Sequence, residues 1–271
     1  MTKYQLLATD MDGTLLRSDK TISQVTIDAI DEAVEKGKVI VFSTGRALIE
    51  LSDYLDQLKN IRYGILASGS LIYDFSNQQV VKSVGIPHDI LDAILDAAKL
   101  ESIMIQGISE RSIDFNRSDL DHIEDFHMEV YKPLYEQHGT FFDDLNTYMR
   151  GKDYGKVNFY HATPEGRNRT YERIKHLPLS LAYAEETSLE ISPIDVSKGQ
   201  GLIDLCEYLG IPVSKTIAVG DSDNDLDVLA IAGLSIAVGN ANDRVKQEAD
   251  VIVDDNDHDG VGMAIHSYLL K

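Results

Sequence analysis

The strongest constraint on the fold is an alternation of short apolar runs and amphipathic stretches at both ends of the chain. The apolar runs that predict strands lie at 4–9, 39–42, 63–67, 216–219, 234–238 and 251–253. The stretches that predict helices lie at 22–36, 47–58, 200–209, 225–232, 243–248 and 261–270. This alternation predicts a parallel sheet covered by helices on both faces, because parallel strands need long crossover connections.

The middle of the chain has a different pattern. Helix patterns lie at 89–100, 119–135 and 165–176, and strand patterns lie at 103–106, 156–160 and 179–184. At about 150 residues per domain, a chain of 271 residues forms either one large domain or two ordinary ones. We therefore predict an α/β protein whose Rossmann-like parallel-sheet core consists of residues 1–84 and 192–271, with an inserted α+β domain at 85–191.

The chain is strongly acidic, with 25 Lys and Arg residues against 45 Asp and Glu residues and a net charge of −20. This charge excludes duplex nucleic acid and an anionic membrane surface as partners, because both attract clustered basic side chains. No run approaches the about 20 apolar residues of a membrane-spanning helix, and the single cysteine, Cys206, cannot form an intrachain disulfide. We expect a cytoplasmic monomer or homodimer.

Polar residues follow several predicted strands at one edge of the predicted sheet. The segments are Asp10-Met11-Asp12-Gly13-Thr14, Ser43-Thr44-Gly45-Arg46 and Gly220-Asp221-Ser222-Asp223-Asn224-Asp225, together with Lys198-Gly199, which opens a helix. Functional side chains of a parallel sheet gather beyond the carboxyl ends of its strands. A single Asp after a strand is commonly a helix cap, but four polar signals at one edge indicate a site.

Three acids could meet at this edge. Asp10 and Asp12 are two residues apart on an extended segment and are expected to face one cavity, where Asp221 adds a third carboxylate. Carboxylates this close repel each other unless a cation lies among them, and Mg²⁺ prefers oxygen ligands. A carboxylate beside Mg²⁺ can attack phosphorus and form an aspartyl phosphate. The residue types suited to holding the phosphoryl oxygens are Ser43, Thr44 and Lys198.

These four segments, in this order, resemble the motifs of haloacid dehalogenase (HAD) superfamily phosphatases. The insertion of about 100 residues resembles the large cap of the Cof-type subfamily, which has a type IIB cap. The segments at 237–241, 249–250 and 259–261 resemble the carboxyl-terminal region of that subfamily. The resemblance covers essentially the whole chain.

The resemblance implies a Mg²⁺-dependent phosphatase of small phosphorylated metabolites, namely sugar phosphates, nucleotides or cofactor phosphates. Asp10 would be the nucleophile and a Mg²⁺ ligand. Asp12 would be the general acid and base and would bind Mg²⁺ through its backbone carbonyl. Asp221 would be the remaining protein ligand, and Asp225 would orient the metal shell or Lys198. The residues that would bind phosphate are Met11 through its backbone N–H, Ser43, Thr44, Lys198 and Asn224.

Two other functions remain open. A phosphomutase or other phosphotransferase of the same fold would return the phosphoryl group to an organic acceptor instead of water. A non-catalytic regulator would bind a phosphorylated metabolite without turnover. One departure from the family is visible, because Ser68-Gly69-Ser70 stands where relatives usually carry Asn-Gly-Ala.

Other polar groups of the chain carry weaker signals. The segment 255–260 resembles the front of an EF-hand loop, but His266 occupies the position of the required Glu, so we expect a solvated turn. Histidines at 122, 127, 138 and 161 are expected to be surface or hydrogen-bonded core groups, with contact to substrate as the alternative. Arg167, Arg169 and Arg173 are expected to form a solvated helix face, with contact to a substrate anion as the alternative.

Overall fold

The strands follow the predicted alternation and include several that the sequence pattern did not indicate. The computed structural model describes residues 3–184 and 186–271. Its strands are β1 (Leu6–Thr9), β2 (Val39–Ser43), β3 (Tyr63–Leu66), β4 (Leu71–Asp74), β5 (Gln79–Ser83), β6 (Ile103–Ile108), β7 (Ile113–Asn116), β8 (Gly139–Phe142), β9 (Lys156–His161), β10 (Leu179–Ala184), β11 (Ser188–Pro193), β12 (Thr216–Gly220), β13 (Leu234–Ala237) and β14 (Val251–Ile252). Its α-helices are α1 (Gln24–Glu35), α2 (Ser52–Gln57), α3 (His88–Ala98), α4 (Arg117–Asp121), α5 (Lys132–His138), α6 (Leu145–Met149), α7 (Pro164–Ile174), α8 (Lys198–Leu209), α9 (Leu226–Ile231), α10 (Asp243–Glu248) and α11 (Gly260–Ala264).

One compact unit consists of the described residues up to Gly45, Ser52–Lys82 and Ser197–Lys271. Its sheet has the strand order β14-β13-β12-β1-β2-β3-β4-β5. Neighbouring strands from β14 through β3 pair in parallel, and β3 pairs with β4 antiparallel. The predicted α/β class and parallel core are therefore confirmed, with an antiparallel addition at one edge.

The central position of β1 explains where polar residues gather. Thr9, its last residue, pairs with Phe42 of β2 on one side and Val219 of β12 on the other. Strand β1 is buried along its whole length, as expected for a central parallel strand. The carboxyl ends of these three neighbouring strands consequently lie side by side, with Ser43 as the last residue of β2 and with Asp10 and Asp221 directly after β1 and β12.

Local capping sets the ends of the helices that flank this edge. Ser23 begins α1 by accepting a hydrogen bond from the backbone N–H of Thr26. Ser197 begins α8 in the same way, with Gln200 as the donor at 3.1 Å. Gly210 ends α8 in the left-handed conformation that glycine adopts easily. Lys198 is therefore the first residue of a helix with a defined start.

The second compact unit consists of Arg46–Leu51 and Ser83–Val196. Its sheet has the order β10-β11-β9-β6-β7-β8, and the pairs are antiparallel except for β7 with β8. Apolar residues of α3 pack with those of β6, β9 and β11 into a buried cluster that includes Leu95, Ile105 and Phe159. The bounds 85–191 for an inserted domain stay a prediction.

The helix predicted over 119–135 is wrong. The chain there forms α4, short 3-10 turns at Ile123–Phe126 and Glu129–Tyr131, and α5. His127 adopts a left-handed conformation with φ of 59°, which ends the helical path, and Pro133 lacks the N–H that a continuous helix would need.

Among residues 3–184 and 186–271, no helix has the length and apolar character required to span a membrane.

Candidate active site

Asp10 lies directly after β1 and is almost fully buried, with 6% of its surface exposed. Its backbone N–H donates to the carbonyl of Val219 at 2.9 Å, which holds the residue beside β12. Lys198 Nζ donates to Asp10 Oδ1 at 2.6 Å. Burial raises the pKa of Asp10 well above its usual range; Lys198 opposes this shift, and the nearby carboxylates of Asp225 and Asp221 add to it.

Asp225 holds Lys198 and the loop after β12 at the same time. Its Oδ1 accepts a 2.7 Å hydrogen bond from Lys198 Nζ, and its Oδ2 accepts from the backbone N–H groups of Asp221 and Ser222 at 3.0 and 3.2 Å. Burial would lower the pKa of Lys198, but the carboxylates of Asp10 and Asp225 outweigh it and hold that pKa above its usual value. Lys198 is therefore a permanent cation between two carboxylates.

Asp221 follows β12 and is held by a residue from the other end of the chain. Thr14 Oγ1 donates to Asp221 Oδ1 at 2.8 Å. Burial raises the pKa of Asp221 to about 6, against the opposing effect of the Thr14 hydrogen bond. Gly13 has φ of +79°, and a Cβ there would lie 2.7 Å from Asp221 Oδ2, so only glycine fits this turn without displacing the carboxylate.

The carboxylates of Asp10, Asp221 and Asp225 lie close enough together to surround a divalent cation, but only two of them have an oxygen available to bind it. One oxygen from each lies within 4.8 Å of the others. Both oxygens of Asp225 already accept hydrogen bonds, whereas Asp10 Oδ2 and Asp221 Oδ2 accept none from the residues that the structure describes. The free oxygens of Asp10 and Asp221 are thus the ligands available to a hard cation, and Asp225 positions Lys198 instead.

The side chain of Asp12 does not belong to this group of three carboxylates, although its negative charge contributes to the raised pKa of Asp221. Asp12 Oδ1 accepts from Lys20 Nζ at 2.8 Å, and 37% of the Asp12 side chain is exposed. The structure therefore brings Asp10 and Asp221 together, while the carboxylate of Asp12 pairs with a lysine that the motifs did not single out. The assignment of Asp12 as acid and base stays a prediction.

The predicted phosphate-binding residues occupy different environments. Ser43 is buried, and its Oγ has no hydrogen-bond partner among the described residues, so this hydroxyl is available to a ligand. Thr44 is buried and donates its backbone N–H to the carbonyl of Ile65 at 2.9 Å. The Met11 side chain is buried, which leaves only its backbone for binding. Asn224 is exposed, with Oδ1 at 3.5 Å from Lys198 Nζ.

Sequence patterns assigned no role to several residues that shape the site. Thr14 and Asn240 lie in segments that the sequence analysis quoted, but only the structure shows their contacts: Thr14 holds Asp221, and Asn240 Nδ2 donates to the carbonyl of Gly13 at 2.7 Å. Asp227 Oδ2 accepts from the backbone N–H of Gly199 at 2.8 Å and so fixes the first turn of α8. Periodicity carries no signal for side chains that hold distant backbone groups. Only the family-like segment at 237–241 drew attention to Asn240.

The Ser68-Gly69-Ser70 segment has a demanding backbone. Ser68 has φ of +57°, and its N–H donates to the carbonyl of Thr44 at 3.0 Å. Gly69 has φ of +102°, and a Cβ there would lie 2.0 Å from the carbonyl oxygen of Ser197. Ser68 thus occupies a left-handed position that links the segment to Thr44.

Polar groups of the second unit have structural partners. Glu101 accepts hydrogen bonds from Arg169 and Arg173 at 2.6 to 2.8 Å, and the guanidinium of Arg167 lies 4.1 Å from the ring centre of Tyr183. Burial lowers the pKa of His161 to about 4, and its ring nitrogens lie near the Thr187 carbonyl and the Thr170 hydroxyl.

The segment 255–260 belongs to the first unit. There the carboxylate of Asp255 accepts hydrogen bonds from the backbone N–H groups of Asp257 and His258 and so caps its own turn.

Comparisons with known proteins extend over nearly the whole chain. A family model described as haloacid dehalogenase-like hydrolase matches residues 7–265. The 5-amino-6-(5-phospho-D-ribitylamino)uracil phosphatase YcsE of Bacillus subtilis is 30% identical over 98% of this chain and 96% of its own length. The pyridoxal phosphate phosphatase YbhA of Escherichia coli is 25% identical over 98% of this chain and 99% of its own. The solved structure of a haloacid dehalogenase-like hydrolase from B. subtilis is 28% identical and matches with a TM-score of 0.85, covering 97% of this chain and 99% of that one.

Proposed function

The chain belongs to the haloacid dehalogenase-like hydrolases and is a Cof-type phosphatase, and on that premise we propose that it hydrolyses small phosphorylated metabolites with Mg²⁺ through a phospho-aspartate on Asp10. The observation that carries this proposal is the state of Asp10. One of its oxygens is held by Lys198, and the other accepts no hydrogen bond from the described residues. A buried, oriented carboxylate with one open oxygen is suited to nucleophilic attack.

The first half of the reaction transfers the phosphoryl group to the enzyme. One carboxylate oxygen of Asp10 attacks phosphorus, the bond from phosphorus to the leaving oxygen breaks, and the protonated carboxyl group of Asp12 gives its proton to that oxygen. Lys198 keeps Asp10 in the attacking orientation, and its charge offsets the negative charge that develops on the phosphoryl oxygens. The unpartnered Ser43 hydroxyl supports the proposal, because a phosphoryl oxygen would supply its missing acceptor.

The second half releases phosphate. Asp12 takes a proton from water, the water oxygen attacks phosphorus, and the bond from phosphorus to Asp10 breaks. The residues that would hold Mg²⁺ are Asp10, Asp221 and the backbone carbonyl of Asp12. When bound, Mg²⁺ supplies positive charge that lets these carboxylates and the phosphoryl oxygens lie close together. Two relatives are named as phosphatases of a phosphorylated ribitylaminouracil and of pyridoxal phosphate. These names support small phosphorylated metabolites as the substrate class.

The proposal is tested by phosphate release from 4-nitrophenyl phosphate and a panel of sugar, nucleotide and cofactor phosphates, with Mg²⁺ or with EDTA. We expect turnover with Mg²⁺, none with EDTA, and none in Asp10→Asn. Borohydride reduction during turnover should convert Asp10 to homoserine, which peptide mass spectrometry locates. Asp243→Asn, at an exposed acid in the first turn of α10, is the matched control and should keep full activity.

Other outcomes point to the alternatives. Labelling of Asp10 without net phosphate release, together with transfer to a sugar hydroxyl, would identify a phosphotransferase or phosphomutase. Binding of a phosphorylated metabolite without labelling or turnover would identify a regulator and overturn the proposal.

A further inference from the structure

The carboxylate of Asp12 is paired with a lysine that lies outside the four family-like segments. Lys20 Nζ lies 2.8 Å from Asp12 Oδ1, and 47% of the Lys20 side chain is exposed. Ion pairs this exposed contribute little to folding stability, because water screens them and both side chains lose freedom. Stability therefore does not account for this pair.

The backbone of Lys20 is held in an uncommon conformation. Its φ is +66°, in the left-handed region that residues with a Cβ seldom adopt unless the surroundings impose it. The Lys20 N–H donates to the carbonyl of Arg17 at 2.9 Å, and the Lys20 carbonyl accepts from the hydroxyl of Tyr54 at 3.3 Å. The lysine stands on a tight turn whose geometry is defined at both of its backbone groups.

The same turn is fixed to the carboxyl-terminal part of the chain. The N–H of Arg17 donates to the carbonyl of Thr21 at 2.9 Å, and the guanidinium of Arg17 pairs with Asp259 at 3.1 Å. Ser18 donates from its N–H and its hydroxyl to Asp257, at 2.9 and 2.7 Å. A lysine on a free loop would have none of these constraints, so the turn provides a defined base for the Lys20 side chain.

We propose that Lys20 is a positioning residue of the reaction, holding the Asp12 carboxylate at the place where it exchanges a proton with the leaving group and with water. This role rests on the proposed function. Proton transfer requires the acid within hydrogen-bond reach of the leaving oxygen, and a displacement of about 1 Å can lower a rate by about a hundredfold. The ion pair with Lys20 restricts the exposed carboxylate of Asp12 to one location.

The effect of Lys20 should depend on the leaving group. Lys20→Gln should lower kcat about tenfold on an alkyl phosphate such as glycerol 2-phosphate, less than the loss from removing the acid itself. The rate on 4-nitrophenyl phosphate, whose leaving group needs no proton, should change less than about twofold. KM should stay within about twofold for both, since Lys20 is not placed on the phosphate. Lys20→Arg should restore the alkyl phosphate rate, because it can form the same pair.

Two comparisons separate positioning from a structural role. Lys36→Gln removes another exposed lysine, paired with Glu32, and should change neither rate. In an Asp12→Asn background, Lys20→Gln should have no further effect, because residues that act through one another are not additive. The unfolding temperature of Lys20→Gln should match that of the wild type.

Each remaining outcome decides the question. Equal losses on both substrates with a lowered unfolding temperature, or an effect that persists in Asp12→Asn, would overturn the role of Lys20 while leaving the proposed function intact. Absence of wild-type turnover with Mg²⁺ would overturn the proposed function and the role of Lys20 together.

Discussion

Thr14 and Asp221 are 207 residues apart in sequence, yet Thr14 Oγ1 donates a 2.8 Å hydrogen bond to Asp221 Oδ1. The bond joins the loop after β1 to the loop after β12. It occupies one oxygen of Asp221 and leaves the other toward Gly13, which has no side chain to block it. The geometry of the candidate metal ligands therefore depends on the two loops being held together.

Gly13→Ala should weaken Mg²⁺ binding by at least about tenfold, because its Cβ would lie 2.7 Å from Asp221 Oδ2. Isothermal titration calorimetry measures the affinity. Gly37→Ala is the matched control, with a similar φ of +76° and nothing within 4 Å of its Cβ. Both variants should lose about 1 kcal/mol of stability from backbone strain. Equal Mg²⁺ affinities in the two variants would contradict the proposed role of Asp221.

Lys198→Met should lower the free energy of unfolding at neutral pH by about 3 kcal/mol, because it leaves two buried carboxylates without their cation. Urea unfolding measures this change, and activity should be lost as well. Lys82→Met removes a lysine that is 46% exposed and pairs with Asp204, so it should cost less than about 1 kcal/mol. Similar losses in the two variants would show that Lys198 is not buried between Asp10 and Asp225 as described.

Glu101→Gln should destabilise the protein in a pH-dependent way. Hydrogen bonds from Arg169 and Arg173 lower the pKa of Glu101 from 4.5 to about 2. A carboxylate whose pKa is lower in the folded state stabilises fully above pH 4.5 and loses this contribution as the pH falls toward 2. The difference in urea midpoint between Glu101→Gln and wild type should thus be large at pH 7 and shrink at pH 3.

Glu32→Gln is the control for this pH dependence, since its pair with Lys36 is exposed and should contribute little at either pH. A Glu101→Gln difference that is constant between pH 7 and pH 3 would rule out the charged pairing with the two arginines.

Ser68→Asn should raise the free energy of unfolding by up to about 1 kcal/mol, because asparagine tolerates the left-handed conformation better than serine. Ser68→Val should have the opposite effect, since β-branched residues are strongly disfavoured there. Thermal unfolding of the two variants measures both signs. A lower midpoint for Ser68→Asn would contradict this prediction. It would mean that the side-chain contacts of Ser68 stabilise the protein more than the better backbone preference of asparagine does.

The sequence predicted the central strands because a buried parallel strand is a short, nearly continuous apolar run. Strand β1 and its neighbours have this pattern, and the parallel pairing that it predicted placed Asp10, Ser43 and Asp221 at one edge, because the carboxyl ends of parallel strands share an edge. Strand β5 escaped prediction because its residues are mostly exposed and carry no such run. The prediction of a helix over 119–135 was wrong because the apolar periodicity does not indicate the left-handed conformation of His127, which the surrounding structure imposes.

The amino-acid sequence by itself determined which chemical groups are available and which strand each one follows, since apolar periodicity and the spacing of acids are local properties. Only the tertiary structure decided which oxygens of these acids remain open. Asp225 is occupied by Lys198 and by two backbone N–H groups, Asp12 is paired with Lys20, and Asp10 and Asp221 each keep one open oxygen. The physical reason is that hydrogen bonds between distant segments form only when the sheet has brought them together.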